Sequence, residues 1–370
     1  MEINKHNKKE IIQELQTIDL NNLSPYKAYL TYQIECAIEK IVINKIKERQ
    51  KRIPGLKQDK HNYLAYWGGE LTPGCRDCCL KGKWTQIRTT TKCTRNCKFC
   101  YYYNQPNQKI PNDKYMIKPY YFYEEDVKLI FDVKGKKFIN GIAWLHYEPL
   151  MEMEKLPPLM KYLHNDGYHQ WLYTNGDLAT EENLKILADS GLDEIRFNLA
   201  ASNCSDKVIK HMYIARKLFK YVCVESPMYS DYYESFRSKR KQILDTGVDH
   251  IHFAELQLFP WSVETFKKEG PYYRYHSGYV SPISSRQLVY NIFDLAVKEK
   301  WKDVVLHDCS NQVKFYRGVY NSHNTFQDVA YRNQVSQDRG VAPERQVYMG
   351  IDWFIDSVKR YKEIGNDFSN

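Results

Sequence analysis

The chain has 370 residues, 43% hydrophobic and 27% charged, enough to bury the core of one large α/β domain or two smaller ones. No run of 18 apolar residues occurs, which excludes a membrane-spanning helix, and the polar start MEINKHNKKEIIQELQ lacks the apolar core of an export signal, so a cytoplasmic protein is expected. The net charge of +9 is spread along the chain and mixed with acids, as over 45–52 and 237–241. It reads as a solvated lysine-rich surface, one that would attract an acidic peptide or a nucleotide as readily as DNA or RNA; nucleic acid is not an expected partner.

In chain order, residues 1–83 form an expected helical N-terminal extension. Apolar residues at spacings of three and four over 27–52 predict a helix that ends before Pro54. Residues 68–83 (GGELTPGCRDCCLKGK), rich in Gly and Cys, predict a loop. Strands are predicted at 84–90, 139–146, 169–174, 193–199, 220–225, 249–255 and 302–307, with amphipathic helices between most of them, such as 180–190 and 287–300. This alternation predicts an α/β fold with a parallel sheet, a partial (β/α)6-type TIM barrel over 84–310, whose chemistry sits at the C-terminal ends of the strands. An open doubly wound sheet is the alternative. Residues 311–370 are expected to be a C-terminal extension with a helix near 348–364.

Ten cysteines without an export signal argue for reduced thiols rather than disulfides, and six of the ten lie between Cys75 and Cys100. The sharpest pattern is TKCTRNCKFCYYY at 91–103, directly after the first predicted barrel strand. Cys93, Cys97 and Cys100 can place three thiolates around one centre, either an iron–sulfur cluster or zinc. Structural zinc needs a fourth ligand from elsewhere, whereas a cubane on three thiolates leaves one iron open.

The C-x3-C-x-aromatic-C run, with Phe99 as its aromatic, resembles the hallmark of the radical S-adenosylmethionine (radical SAM) superfamily. The resemblance covers roughly 84–310. It implies a [4Fe–4S] cluster on Cys93, Cys97 and Cys100, and S-adenosylmethionine on the open iron. An electron from the cluster then releases a 5′-deoxyadenosyl radical that abstracts hydrogen from substrate. It also implies an external electron donor.

Later strand ends add to the resemblance. Trp144-Leu145-His146-Tyr147-Glu148-Pro149 is similar to the family's Gly-Gly-Glu-Pro motif, with His146 and Tyr147 in place of the small residues; Glu148 is expected to contact the cofactor's ammonium. Asn175, in Tyr173-Thr174-Asn175-Gly176, and Arg196, Asn198 and Ser202 at the fourth strand are further expected cofactor contacts.

Cys75, Cys78 and Cys79, with Cys309 after the last predicted strand, are candidates for a second cluster or zinc, or for buried thiols; Cys309 is alternatively a hydrogen-atom donor to a substrate radical. Cys36, Cys204 and Cys223 are expected in the core. The helical extension, the basic balance and the extra cysteines point to a ribosomally made peptide as substrate, to be crosslinked, epimerised or relieved of a backbone fragment, with an accessory protein as a further candidate partner. A small metabolite or nucleotide substrate is the rival. A zinc-stabilised nucleic-acid-binding protein is the reading from a different class.

Overall fold

The computed structural model describes residues 25–59, 64–103, 109–117, 120–135, 139–259, 261–275 and 280–314. The expected extension beyond 314, with its helix near 348–364, lies outside the described residues. Seven strands run side by side in chain order: β1 (Trp84–Ile87), β2 (Gly141–Trp144), β3 (His169–Thr174), β4 (Glu194–Phe197), β5 (Tyr221–Met228), β6 (His250–Glu255) and β7 (Val305–Cys309). Every neighbouring pair among them is parallel. They overlap the seven predicted strands, one more than a six-unit barrel.

Strict chain order is the winding of a (β/α) barrel; a doubly wound sheet would reverse its order part-way. The far edge of β7 is taken by the antiparallel strand Ala65–Trp67, which pairs in turn with Lys57–Gln58, while β1 ends the sheet on the other side. The barrel is therefore partial.

Alternation along the strands separates two faces. Ile142, Leu172, Ile195, Phe197, Val222, Val224, Ile251 and Phe253 face outward into one large core. Helices cover that face: α1 (Pro25–Gln50), α2 (Glu124–Ile130), α3 (Leu156–Asn165), α4 (Glu181–Asp189), α5 (Asp206–Leu218), α6 (Ser230–Asp245) and α7 (Ile283–Glu299). Leu159 and Leu163 in α3, Leu184 and Leu187 in α4, and Val289 and Phe293 in α7 are fully buried pairs at helical spacing. Each such side chain contributes about 1.5–3 kcal/mol. Thr180 and Ser205 start α4 and α5 by accepting hydrogen bonds from the backbone N–H of Asn183 and Val208. Among the described residues no helix is long and apolar enough to cross a membrane.

Helix α1 is anchored through a buried polar chain. Asp308 of β7 accepts from Arg286 Nη2 at 2.7 Å and from Tyr290 Oη at 2.6 Å, and Gln50 of α1 donates to Tyr290.

The inner face is unusually polar, lined by Tyr173, Glu194, Arg196, Cys223, His250, His252 and His307. The predicted loop at 68–83 is mostly helical instead: a turn of α-helix at Pro73–Cys75 continues as a π-helix over Arg76–Lys81 and stops at left-handed Gly82. Pro73 opens the turn, where a missing N–H costs nothing. This plug helix enters the barrel from the N-terminal end of the strands, touching the first residues of β2, β4 and β6. Gly74 makes the approach feasible, since a Cβ there would lie 2.4 Å from Arg196 Nη2 and 2.8 Å from Glu194 Oε2. Composition signalled flexibility, but burial of Cys75, Asp77 and Cys78 against the barrel decides the conformation. Cys204 and Cys223 are buried as expected, whereas Cys36 is only half-buried.

Candidate active site

The loop after β1 carries the three thiols at the C-terminal mouth of the barrel. Its shape is set locally: the N–H of Cys100 donates to the carbonyl of Cys97 at 2.8 Å, and that of Tyr103 to the carbonyl of Cys100 at 3.1 Å. Backbone N–H groups also point at sulfur; Tyr102 N lies 3.4 Å from Cys100 Sγ. Burial pushes all three thiols up, Cys97 to about 12, with Cys100 and Cys93 adding to the effect at Cys97. Cys93 also raises Cys100, as closely grouped sulfurs do, and a bound cation would reverse that cost. Aromatic residues after β6 cover the loop: Trp261 Nε1 donates to the carbonyl of Cys100 at 3.3 Å, and Phe259 packs edge-on against Tyr101.

Glu148, at the end of β2, is fully buried. Its carboxylate accepts from Thr174 Oγ1 at 2.9 Å, Asn175 N at 2.8 Å and Leu150 N at 3.3 Å, and its own N–H donates to the carbonyl of Lys92 at 3.0 Å. Burial pushes its acid up to about 7, against the pull of those hydrogen bonds. The two residues before it have left-handed backbone, His146 at φ 75° and Tyr147 at φ 54°, the conformation glycine adopts freely. Tyr147 stacks on Tyr102 at 4.5 Å, His146 meets the same ring edge-on, and the Arg88 guanidinium covers it at 5.0 Å.

The third strand end clamps the cysteine loop. Asn175 Nδ2 donates to Thr94 Oγ1 at 2.9 Å and lies 3.6 Å from Cys93 Sγ. Asp177 binds Arg95 through two bonds, at 2.7 and 2.6 Å, and Thr94 Oγ1 at 3.0 Å. Arg95 Nη1 continues to the carbonyl of Ala201 at 2.7 Å. Gly176 must be glycine, because its φ is +85° and a Cβ would meet Val208 Cγ1 at 2.5 Å. Arg95 and Asp177 escaped sequence reasoning, since one charged residue inside a cysteine spacer and one after an Asn-Gly turn look like solvated loop positions.

Phe99 packs against Tyr229 and lines a cleft of about 400 Å³ beside Cys97, Ala200 and Ala201. Asn198 and Ser202 shape the wall of that cleft. Asn198 Oδ1 caps the short helix Leu199–Ser202 by accepting from Ala201 N at 3.1 Å, and Ser202 Oγ donates to the carbonyl of Leu199 at 3.2 Å. Arg196, expected to meet a cofactor carboxylate, is already paired in the barrel interior: it donates to Glu194 at 2.7 Å and to Tyr173 Oη at 2.6 Å. Burial works against the Glu194 carboxylate, yet Arg196 and then His169 outweigh it and hold that acid well below the ordinary range.

The remaining cysteines gather in the interior. Cys79 is in sulfur hydrogen-bonding contact with Cys309 and Cys78, so Cys309 is engaged by the plug helix. Cys75 adjoins them, its thiol pushed up by burial and by the nearby Cys78 and Cys309, and is also grouped with His250 and His307.

A partial parallel barrel with three thiols in the loop after its first strand, backed by a buried carboxylate and an Asn-Asp clamp on the next two strand ends, is the architecture of a protein that holds a metal–sulfur cofactor at its mouth. Residues 87–222, from the end of β1 into β5, match the family model described as the radical SAM superfamily. Members of the superfamily use a [4Fe–4S] cluster and S-adenosylmethionine.

One curated relative, a Methanocaldococcus jannaschii protein provisionally named a glycyl-radical enzyme activating enzyme, is 29% identical over 145 residues. The match covers 38% of this chain and 36% of the relative. Among solved structures, Streptococcus suis SuiB bound to S-adenosylmethionine is 15% identical, with 60% of this chain and 49% of SuiB covered at a TM-score of 0.45. Methylornithine synthase (PylB) is 12% identical, with 80% and 77% covered at 0.42.

Proposed function

We propose that the chain is a radical SAM enzyme whose Cys93, Cys97 and Cys100 hold the cluster and whose Glu148 and Asn175 organise the cofactor site. The grouping of the three thiols with Glu148 and Asn175 at one barrel mouth carries this reading. The donor set fits the group: three thiols on one loop, N–H groups directed at sulfur, and an adjoining cleft. When bound, the cluster with S-adenosylmethionine supplies one-electron cleavage to a 5′-deoxyadenosyl radical.

The protein's own contribution is positional. Glu148, ionised, accepts a charge-assisted bond from an ammonium; held by three donors, it needs no reorganisation to do so. The Arg95–Asp177 clamp fixes the cysteine loop against β3. Phe99, Tyr229 and Phe266 give one side of the cleft an apolar surface against which a substrate can pack. Asn198 and Ser202 set the backbone that faces the same space.

For the substrate we favour a ribosomally made peptide over a small metabolite. The cleft is open to solvent with Lys98 on its lining, and the whole chain carries an excess of nine positive charges suited to an acidic peptide. An external electron donor completes the partner set. The test is anaerobic reconstitution with iron and sulfide, then S-adenosylmethionine and a reductant. 5′-Deoxyadenosine should form, and Cys97→Ala should abolish it. Reconstituted protein that binds only zinc and yields no 5′-deoxyadenosine overturns the proposal. Acceleration by acidic precursor peptides, but not by single amino acids or nucleosides, distinguishes the peptide reading from its rival.

A further inference from the structure

A second set of metal-type donors lies inside the barrel, toward the N-terminal end of its strands, and the proposed reaction does not use it. His250 begins β6, His307 is the middle residue of β7, and Cys75 reaches both from the plug helix. One ligand atom from each lies within 4.8 Å of the other two, and all three side chains are buried. The His250 and His307 rings are stacked 5.6 Å apart.

Hydrogen bonding around His250 fixes which nitrogen is available. Thr72 Oγ1 lies 3.2 Å from Glu194 Oε1 and 3.1 Å from His250 Nδ1. An ionised Glu194 only accepts, so the single hydroxyl proton of Thr72 goes to it and the hydroxyl oxygen accepts from Nδ1–H. His250 is therefore the Nδ1–H tautomer, and its Nε2 carries a lone pair into the interior. That atom is buried and has no hydrogen-bond partner among the described residues. A buried acceptor left bare costs about 1–3 kcal/mol, a cost that an ion bound at this atom would remove. A histidine oriented from behind by a hydroxyl and a carboxylate is the outer-shell arrangement typical of metal ligands.

We propose that Cys75, His250 and His307 bind one zinc-class divalent ion that staples the plug helix to β6 and β7. One thiolate and two imidazoles suit zinc. His252, whose Nε2 is likewise buried and without a hydrogen bond, stands beside His250 with ring centroids 5.1 Å apart and is the donor at hand for a fourth position. Binding exchanges the Cys75 thiol proton for the metal and releases it to solvent. Position in the barrel argues for a structural role, since the N-terminal end of a (β/α) barrel serves stability rather than chemistry. The ion would join the plug to the two strands beside Ala65–Trp67, tying the segment before the barrel to its last strands.

The test uses the full chain with Cys93→Ala, Cys97→Ala and Cys100→Ala, which removes the proposed cluster ligands, titrated anaerobically with Co2+ alone. We expect one Co2+ per chain, visible absorption of a tetrahedral site, a thiolate-to-cobalt charge-transfer band, and bleaching by Zn2+. Cys75→Ser should remove the charge-transfer band and His250→Gln should weaken binding at least tenfold, both with unchanged far-ultraviolet circular dichroism. Thr72→Val removes no ligand and should weaken binding roughly tenfold or more through the lost outer-shell bond to His250. Absence of stoichiometric Co2+, or a spectrum indifferent to both Cys75→Ser and Thr72→Val, overturns the site. Iron with acid-labile sulfide retained by the triple variant also overturns it, in favour of a second cluster on the interior cysteines.

Discussion

The backbone N–H of Asn175 donates to Oε2 of Glu148 at 2.8 Å, locking two strand ends 27 residues apart in the chain. From that junction Asn175 reaches Thr94 and Cys93, so the carboxylate is tied to the start of the cysteine loop. Glu148→Gln keeps the size of the side chain but removes the charge and turns one acceptor into a donor facing other donors. A charge-assisted bond is worth about 1.5–3 kcal/mol, so S-adenosylmethionine affinity should fall by about 10- to 100-fold. Iron content of the reconstituted protein should stay unchanged. Calorimetric titration together with iron analysis checks both; undiminished affinity would remove Glu148 from the site.

Glu148 should also leave a mark on stability in the cofactor-free protein. Its acid rises from an ordinary 4.5 to about 7, mainly through burial. Between those two values the folded chain keeps a proton that the unfolded chain has lost, so stability is greatest below about 4.5 and declines as pH rises through about 7. The full effect is about 3 kcal/mol. Glu148→Gln should flatten this decline in denaturant titrations between pH 5 and pH 8. Affinity for S-adenosylmethionine should run the other way, strengthening as pH rises through about 7, because the ammonium favours the carboxylate. Parallel pH profiles for wild type and Glu148→Gln would contradict this account.

The Arg95–Asp177 pair predicts a kinetic defect. Its side chains are 30% and 19% exposed, so its contribution to global stability is small, but its two bonds hold the cysteine loop to β3. Arg95→Ala should leave the thermal midpoint nearly unchanged while the reconstituted cluster is lost to chelator several-fold faster. A chelation rate equal to wild type would show that the loop holds itself.

The strand positions and the cysteine loop were legible in the sequence because each rests on a local pattern: alternation of strand and helix for the one, spacing of thiols for the other. The placement of Glu148 and Asn175 at neighbouring strand ends was legible for the same reason, each standing in a strand-end motif. The plug helix was not, because Gly74 and the surrounding cysteines look like a loop until the Glu194–Arg196 pair they pack against is known. Arg196 was expected to meet a cofactor carboxylate; the structure pairs it with Glu194, two positions earlier on the same inner face, a partner that strand alternation alone does not reveal. The donors around Cys75 were illegible too, since His250 and His307 come together only through strand order.

The plug helix gives a direct stability test of that packing. Gly74→Ala would put a methyl group 2.4 Å from Arg196 Nη2 and 3.1 Å from the Trp171 ring, with no open side to turn to. Overpacking of this kind costs about 1–3 kcal/mol, and the loss should appear as a lowered denaturation midpoint. An unchanged midpoint would mean that the plug does not enter the barrel.

Tyr147 separates backbone strain from side-chain packing. At φ 54° a non-glycine residue carries about 1–2 kcal/mol of strain, while its ring gains contact by stacking on Tyr102 at 4.5 Å. Tyr147→Ala loses the ring and keeps the strain; Tyr147→Gly loses the ring and relieves it. The glycine variant should therefore be the more stable of the two by about 1 kcal/mol, the reverse of their order in ordinary helix or strand. Thermal denaturation of both variants decides the matter. An alanine variant as stable as the glycine one would mean that the turn before Glu148 is not left-handed, and the aromatic cluster of Tyr102, His146 and Tyr147 would then need another reason to exist.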